Sequence, residues 1–480
     1  MCGIFGIYNH PEAARLAYLG IYALQHRGEE SAGVVSSDGK KVKSHKGLGL
    51  VGDVFDEANI KGLSGYLAVG HNRYSTTGST TVANIQPFLV NHKRSPIAIA
   101  HNGNFINTLQ LRKLLEKEGA IFQSTMDSEI IAHLLTRSKK SDYRDSLVWA
   151  LSKIEGSYSL VLMLGGFLVG ARDPLGFRPL CLGKLDGAYI LASETCALDL
   201  IQAEYIRDIE PGEIVFIGKD GIESIKPNAL VQHSLCIFEY IYFARPDSNI
   251  FGHNVYLVRK KLGIQLAREH PAEADFVMPI PDSGTYAALG FAKESGIAFE
   301  QGMIRNHYIG RTFIQPSQFL RDFRVKVKLN PIRDILENKR IVVVEDSIVR
   351  GTTSRIRIKA LRKAGAKEVH MRVSCPPLRF PCFYGIDFPT KKELIASKHS
   401  VDWIRDFIGL DSLGYLSLEG LLNSMPLPAT EFCTACFSGK YPIKPPSRLT
   451  KKSSRDNNLG NLTKIKKYTI PRFFKKYLTM

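Results

Sequence analysis

One segment constrains the fold more than any other: Arg340-Ile341-Val342-Val343-Val344-Glu345-Asp346-Ser347-Ile348-Val349-Arg350-Gly351-Thr352-Thr353-Ser354. It runs from an apolar, β-branched stretch into two acids, then into a loop of hydroxyl residues around a glycine. An uninterrupted run of this kind reads as a strand buried on both faces, as in a parallel sheet covered by helices. The loop suits the opening of a helix, whose free N–H groups and dipole attract anions. Ligands of open parallel sheets sit at the carboxyl ends of strands. Paired acids there suit a ribose diol or a hydrated Mg²⁺. The plain alternative is a strand–loop–helix turn with a Ser/Thr cap.

The flanking sequence agrees with a parallel sheet. Helices are predicted over Tyr256–Glu269, Gly284–Glu294 and Thr352–Lys363, strands over Asp275–Ile280, Arg340–Glu345 and Val369–Val373, and further helical pieces over Asp402–Phe407 and Ser417–Leu422. This alternation predicts an α/β unit. The first half reads differently. A helical pattern over Pro11–Gln25 is followed by short β-rich runs at Tyr66–Gly70, Pro96–Ala100, Tyr158–Leu164, Ala188–Ala192 and Glu213–Ile217, punctuated by Gly and Asp. That predicts an α+β layered domain. No internal repeat is evident. With 480 residues, two or three domains are expected. The boundaries fall at 2–230 and 231–440, with a basic tail over 441–480 expected to be disordered.

The formal charge of +18 is unevenly spread. Residues 441–480 carry eleven Lys/Arg and one acid, while the other 440 carry 53 basic and 45 acidic residues. The body is only mildly basic, so no nucleic-acid partner is expected, and the tail reads as a solvated appendage. The apolar runs are too short or too Gly-broken for the roughly 20-residue span a bilayer requires. No basic leader precedes Cys2, so a cytoplasmic protein with reduced thiols is expected. Eight cysteines are too few for a disulfide scaffold and point to catalysis, metal binding or packing.

Cys2 follows the initiator Met and is small enough for Met1 to be removed. It would then carry a thiol, normally near pKa 8.5, beside a free amine near 7.7–8 that can act as its base. Three polar segments accompany it: Leu24-Gln25-His26-Arg27-Gly28, Gly70-His71-Asn72-Arg73-Tyr74-Ser75-Thr76, and Ala100-His101-Asn102-Gly103-Asn104. The first is read as a polar turn after a helix, and the last two are read as following strands. An Arg can fork a carboxylate, an Asn amide and a Gly N–H can face a developing oxyanion, and Asp127 can hold an amine. Together these motifs resemble the class II glutamine amidotransferase domain of the N-terminal nucleophile family, whose fold is an αββα sandwich. The resemblance covers residues 2–230. It implies that Cys2 attacks the glutamine amide, that Arg73, Thr76 and Asp127 hold glutamine, and that Asn102 and Gly103 form the oxyanion hole.

The Arg340–Ser354 segment resembles the diphosphoribose-binding motif of type I phosphoribosyltransferases. That resemblance implies that Glu345 and Asp346 contact the ribose hydroxyls and one Mg²⁺ per subunit. It gives the 5-phosphate to Ser347, Val349, Arg350, Gly351 and Thr352. Pro279-Ile280-Pro281-Asp282-Ser283-Gly284 resembles the pyrophosphate-side loop, with Ser283 toward the metal. Arg305–Lys328, which includes Arg311, resembles a mobile flap that closes over substrate. Glu345 departs from the Asp usual in that family.

Cys433-Thr434-Ala435-Cys436 suits a metal or a redox dithiol. With Cys236 and Cys382, four thiolates could hold zinc or an iron–sulfur cluster, and spacing does not choose. The surroundings of these four resemble the glutamine phosphoribosylpyrophosphate amidotransferases that carry a 4Fe–4S cluster, which implies one cluster per subunit on Cys236, Cys382, Cys433 and Cys436. Cys181, Cys196 and Cys375 read as packing residues. The resemblance over residues 2–440 implies transfer of glutamine nitrogen to phosphoribosylpyrophosphate (PRPP) to give 5-phosphoribosylamine, opening purine synthesis. It further implies feedback by purine nucleotides and a homotetramer. Three other readings are an aminotransferase of hexose phosphates, which needs an isomerase second half, a PRPP-sensing regulator binding nucleic acid through the tail, and a redox protein.

Overall fold

The computed structural model describes residues 1–74, 81–227, 232–306, 329–388 and 390–445. Thr76, Arg311, nearly all of the expected flap and the tail from residue 446 lie outside the described residues.

Two antiparallel sheets face each other in the first half. One runs Glu204–Asp208, Cys181–Leu185, Ala188–Ala192, Gly3–Tyr8, Leu67–Arg73, Ser31–Ser37, Val42–Leu48. The other runs Gly221–Ile225, Ile214–Gly218, Phe167–Arg172, Gly156–Leu164, Ile97–Phe105, Phe88–Val90. Strand side chains alternate between faces, and here both faces are apolar. Ile4, Val69, Ala98, Val161 and Leu191 fill the space between the sheets. Phe5 and Ile7 turn outward under the helix Ala13–Ala23. On the far side, Ile99, Leu160 and Leu162 meet the helices Thr108–Lys117, Glu129–Arg137 and Tyr143–Leu151 through Leu111, Ile130 and Leu147. The layers are therefore helix, sheet, sheet, helix.

The second half is the expected parallel sheet, in the order Phe276–Pro279, Arg340–Glu345, Glu368–Val373, Ser412–Tyr415. The helices Val255–Glu269, Thr285–Ser295, Thr352–Lys363 and Val401–Ile408 accompany it. Val342, Val343 and Val344 are fully buried, as a strand covered on both faces requires.

The predicted elements differ from the observed ones in two ways that matter. The polar segments at His71–Arg73 and His101–Asn104 do not follow their strands but continue them, because each pairs through its polar residues: Gly3 opposite Asn72, Asn102 opposite Ser159, Gly103 opposite Tyr158. The ordered chain also runs past Lys440. The Tyr441 hydroxyl donates to the Pro381 carbonyl (2.7 Å), and the Ile443 N–H donates to the Tyr384 hydroxyl (3.0 Å).

A buried ionic network joins the halves. Arg27 pairs with Glu194 and, at 2.8 Å, with Glu239; Arg178 pairs with Glu239 at 3.2 Å and donates to the Tyr384 carbonyl. All four charged side chains are fully buried. Removing one partner from such a set strands the others without water, a loss of about 3–5 kcal/mol. Glu239→Ala is expected to lose that much in denaturant unfolding. Burial alone would raise the Glu194 carboxyl, but Arg27, His26 and the Ser248 hydroxyl hold it well below its usual 4.5. A depressed folded pKa contributes stability above the unfolded value that is lost as pH falls toward the folded one. The melting temperature of the unsubstituted protein should therefore fall more steeply from pH 5 to pH 3 than that of Glu194→Gln.

Candidate active sites

The first site forms where the two antiparallel sheets meet the chain start. Gly3–Tyr8 is a central strand, so its first residues emerge beside Asn72 and opposite Asn102 on the facing sheet. The Cys2 N–H donates to Asn102 Oδ1 at 3.2 Å, and the thiol lies 3.6 Å from the Tyr74 carbonyl. Asn102 is fully buried, and its Nδ2 has no acceptor among the described residues. A buried amide N–H without a partner is unfavourable by about 1–3 kcal/mol, so this donor is one that an incoming oxygen would satisfy. Next to it, Gly103 adopts φ +155, and a Cβ there would lie 2.1 Å from the Ser157 carbonyl oxygen. Only glycine fits.

Asp127 is brought to the same strand. Its carboxylate accepts from the N–H groups of Phe105 (3.0 Å) and Ser128 (2.8 Å) and lies 3.4 Å from His101 Nδ1. Burial would raise this acid, but His101 and the backbone donors outweigh it, so its pKa lies below the ordinary value. Arg73 ends its strand buried beside Ser31, directly across the register. Cys2, Arg73, Asn102, Gly103 and Asp127 thus gather at one end of the sandwich. Met1, next to Cys2, reaches into the other half: it is 3% exposed and packs in the core that contains Leu235 and Ile237. Burial, with Arg178 and Arg27 nearby, lowers its amine to about 6.

The second site lies at the carboxyl ends of two adjacent parallel strands. Pro279 pairs with Val344, so the loop through Ser283 and the Glu345–Thr352 loop leave the sheet side by side. Glu345 is buried and accepts from Arg357 at 2.7 Å; Asp346 is buried and accepts from the Ser347 hydroxyl at 2.5 Å. Burial pushes Glu345 up to about 8, and neighbouring Asp346 pushes the same way, while Arg357 only partly opposes them. Two adjacent carboxylates left short of positive charge suit a divalent cation. Gly351 then turns the chain with φ +73 into the helix Thr352–Lys363. Val349 and Arg350 are held from the side, the Val349 carbonyl by Ile395 N–H (3.0 Å) and the Arg350 guanidinium by Glu393 (3.1 Å). Arg305 pairs with Asp282 in the neighbouring loop.

The four cysteines Cys236, Cys382, Cys433 and Cys436 line one small cavity between the halves, with Phe177 and Tyr384. Cys236 and Cys433 are register partners on two short parallel strands. Burial raises the Cys236 thiol to about 11 and the Cys433 and Cys436 thiols further. Among the described residues no three His, Cys, Asp or Glu side chains close on a single ion. Four thiols around a common space are the donor type that a zinc ion or an iron–sulfur cluster takes. Cys181, Cys196 and Cys375 are buried elsewhere and unbonded to any other cysteine.

Sequence reasoning missed the residues that hold these groups. Arg27 was visible only as part of a polar turn, Arg178, Glu194, Glu239 and Ser157 lie in no predicted element, and Arg357 read only as a residue of a predicted helix. Long-range partners leave no local signal.

A glutamine amidotransferase domain family matches residues 71–200. A relative from Glycine max named amidophosphoribosyltransferase, chloroplastic, is 51% identical over 449 residues, spanning 92% of this chain and 78% of that protein. Amidophosphoribosyltransferases from Methanocaldococcus jannaschii and Bacillus subtilis are 50% and 48% identical, each spanning 92% of this chain and 98% and 94% of their own. A solved structure of the B. subtilis glutamine PRPP amidotransferase complexed with ADP and GMP superposes with a TM-score of 0.88 at 47% identity, covering 94% of this chain and 99% of that one. A shared fold alone would permit many chemistries, but near-half identity over 92% of the chain leaves one assignment: the chain belongs to the amidophosphoribosyltransferase family.

Proposed function

We propose that this member of the family transfers the amide nitrogen of glutamine to C1 of PRPP, giving 5-phosphoribosylamine, glutamate and pyrophosphate, and so opens purine synthesis. The observation that carries the glutaminase half is the hydrogen bond from the Cys2 nitrogen to an Asn102 whose own N–H is left for an oxyanion. With Met1 removed, the Cys2 amine takes the thiol proton and the sulfur attacks the glutamine amide carbon. Asn102 Nδ2 and the Gly103 N–H receive the charge that develops on oxygen. Ammonia departs, and water hydrolyses the thioester. Arg73 and Thr76 hold the glutamine carboxylate end, and Asp127 its amine.

Ammonia must reach the second half without bulk water, because ammonium has no lone pair to offer. The place of Met1 supports this: removing it frees buried space on the side of Cys2 that faces the second half. There Ser347, Val349, Arg350, Gly351 and Thr352 hold the 5-phosphate, Glu345 and Asp346 the ribose, and Arg311 closes over the substrate. Glu345, Asp346 and Ser283 would also hold one Mg²⁺, which when bound neutralises the departing pyrophosphate. Cys236, Cys382, Cys433 and Cys436 would hold one 4Fe–4S cluster, which would tie the halves together.

The relatives are named as enzymes, which favours transfer over the nucleic-acid-binding regulator. The complex of the B. subtilis structure with ADP and GMP supports feedback by purine nucleotides. A homotetramer in the cytoplasm completes the proposal. Among the described residues no helix is long and apolar enough to cross a membrane, though the plant relatives are chloroplastic. The test is one assay: ¹⁵N-amide glutamine and PRPP should give labelled phosphoribosylamine and pyrophosphate. Iron and sulfide would be determined on anaerobically prepared protein. Label that stays in free ammonia with no pyrophosphate released would refute the coupling.

A further inference from the structure

The chain following Cys382 does more than deliver a thiol to the cavity. It lies on the back of the strand that carries Asn102 and Gly103. Gly385 is so close that a Cβ added there would sit 3.0–3.1 Å from the carbonyl carbon, Cα and oxygen of Gly103. The Phe383 carbonyl accepts from Asn104 Nδ2 at 2.9 Å, and the Tyr384 carbonyl accepts from the Ser157 hydroxyl at 2.8 Å. Ser157 Oγ in turn accepts from the Asn104 N–H at 3.2 Å. The same Tyr384 carbonyl receives Arg178, and the Tyr384 N–H points back at the Cys382 sulfur at 3.3 Å. The Tyr384 ring stacks on Phe177 at 4.3 Å between centroids. Gly103 is thereby clamped between Ser157 on its own sheet and Gly385 from the other half of the molecule.

A backbone N–H can stabilise a developing charge only if its peptide plane is held. We propose that Phe383–Gly385 is a positioning element for the oxyanion hole. It fixes the Gly103 peptide, so glutamine hydrolysis depends on the seating of Cys382 in the cysteine cavity. The inference rests on the oxyanion role proposed for Gly103. It assigns to the second half a direct hand in the chemistry of the first. Removal of whatever the four thiols hold would release the strap at Cys382 and silence glutamine use before it affected transfer from free ammonia.

The test uses the full-length protein and two variants, Gly385→Ala, which pushes on Gly103, and Ser157→Ala, which unties Tyr384 from the strand. In each, kcat for glutamine hydrolysis should fall about tenfold to a hundredfold, as for a small misplacement at a reacting centre. Ammonia-dependent synthesis should stay within about twofold. Affinity for glutamate γ-semialdehyde, whose thiohemiacetal places an oxyanion in the hole, should fall in step with kcat, while affinity for glutamate should not change. Cys382→Ala should lower bound iron, aldehyde affinity and glutamine kcat together. If Gly385→Ala does not fold, Ser157→Ala decides alone. The proposal is overturned if the folded variants keep full aldehyde affinity, or if both nitrogen sources fail by the same factor. Equal affinity of the unsubstituted protein for aldehyde and glutamate would refute the oxyanion role itself.

Discussion

Cys2→Ala should abolish the use of glutamine, by about four orders of magnitude or more in kcat, the scale seen when a nucleophile is removed from a working set. Phosphoribosylamine formation from ammonium chloride at alkaline pH should remain within about twofold. The reason is spatial. Cys2 belongs to the antiparallel sandwich, whereas Glu345 and Asp346 end a strand of a separate parallel sheet, and neither set of side chains bonds to the other. Pyrophosphate release with each nitrogen source measures both activities in one preparation. Loss of both in a folded variant would refute the division of labour. Intact-mass measurement of the active, unsubstituted protein should show a chain starting at Cys2.

Asp346→Ala should give the opposite pattern, with both nitrogen sources failing together by about a thousandfold, because the loss falls on PRPP and its cation. Glutamine hydrolysis measured alone should survive. Asp346 is buried beside Glu345, whose carboxyl it helps push up to about 8, and it accepts from the adjacent Ser347 hydroxyl. Its removal takes away these short local contacts and lets Glu345 ionise more readily beside Arg357, so stability should change little. A large drop in unfolding free energy would show that Asp346 is structural. Added Mg²⁺ should raise the melting temperature of the unsubstituted protein in the presence of PRPP, and that of the variant much less.

Much of this architecture was legible because its signals are local. A valine run cannot be comfortable on an exposed edge, so Arg340–Glu345 had to be an interior strand, and Thr352–Lys363 and Ala188–Ala192 ended where their patterns ended. The strands were read as ending at Gly70 and Ala100 because His71–Arg73 and His101–Asn104 break the apolar pattern. What makes them strand is pairing with residues far away in the chain. Cys2, Asn102 and the Glu345–Thr352 loop were visible as short motifs. Their supports were not: Glu239 stands 212 residues from Arg27 and Tyr384 stands 227 from Ser157, and nothing in either neighbourhood announces the other.

The burial of Met1 carries a consequence for biogenesis. A methionine only 3% exposed, wedged into hydrophobic packing contributed by residues more than two hundred positions downstream, is beyond the reach of a trimming peptidase once the polypeptide has closed. The cut must come while the ribosome is still working on the later part. On the mechanism proposed above, molecules that slip past it would fold yet stay inert toward glutamine, and intact mass would tell them apart. Hurried overexpression should enrich that silent fraction, and slower synthesis should reduce it.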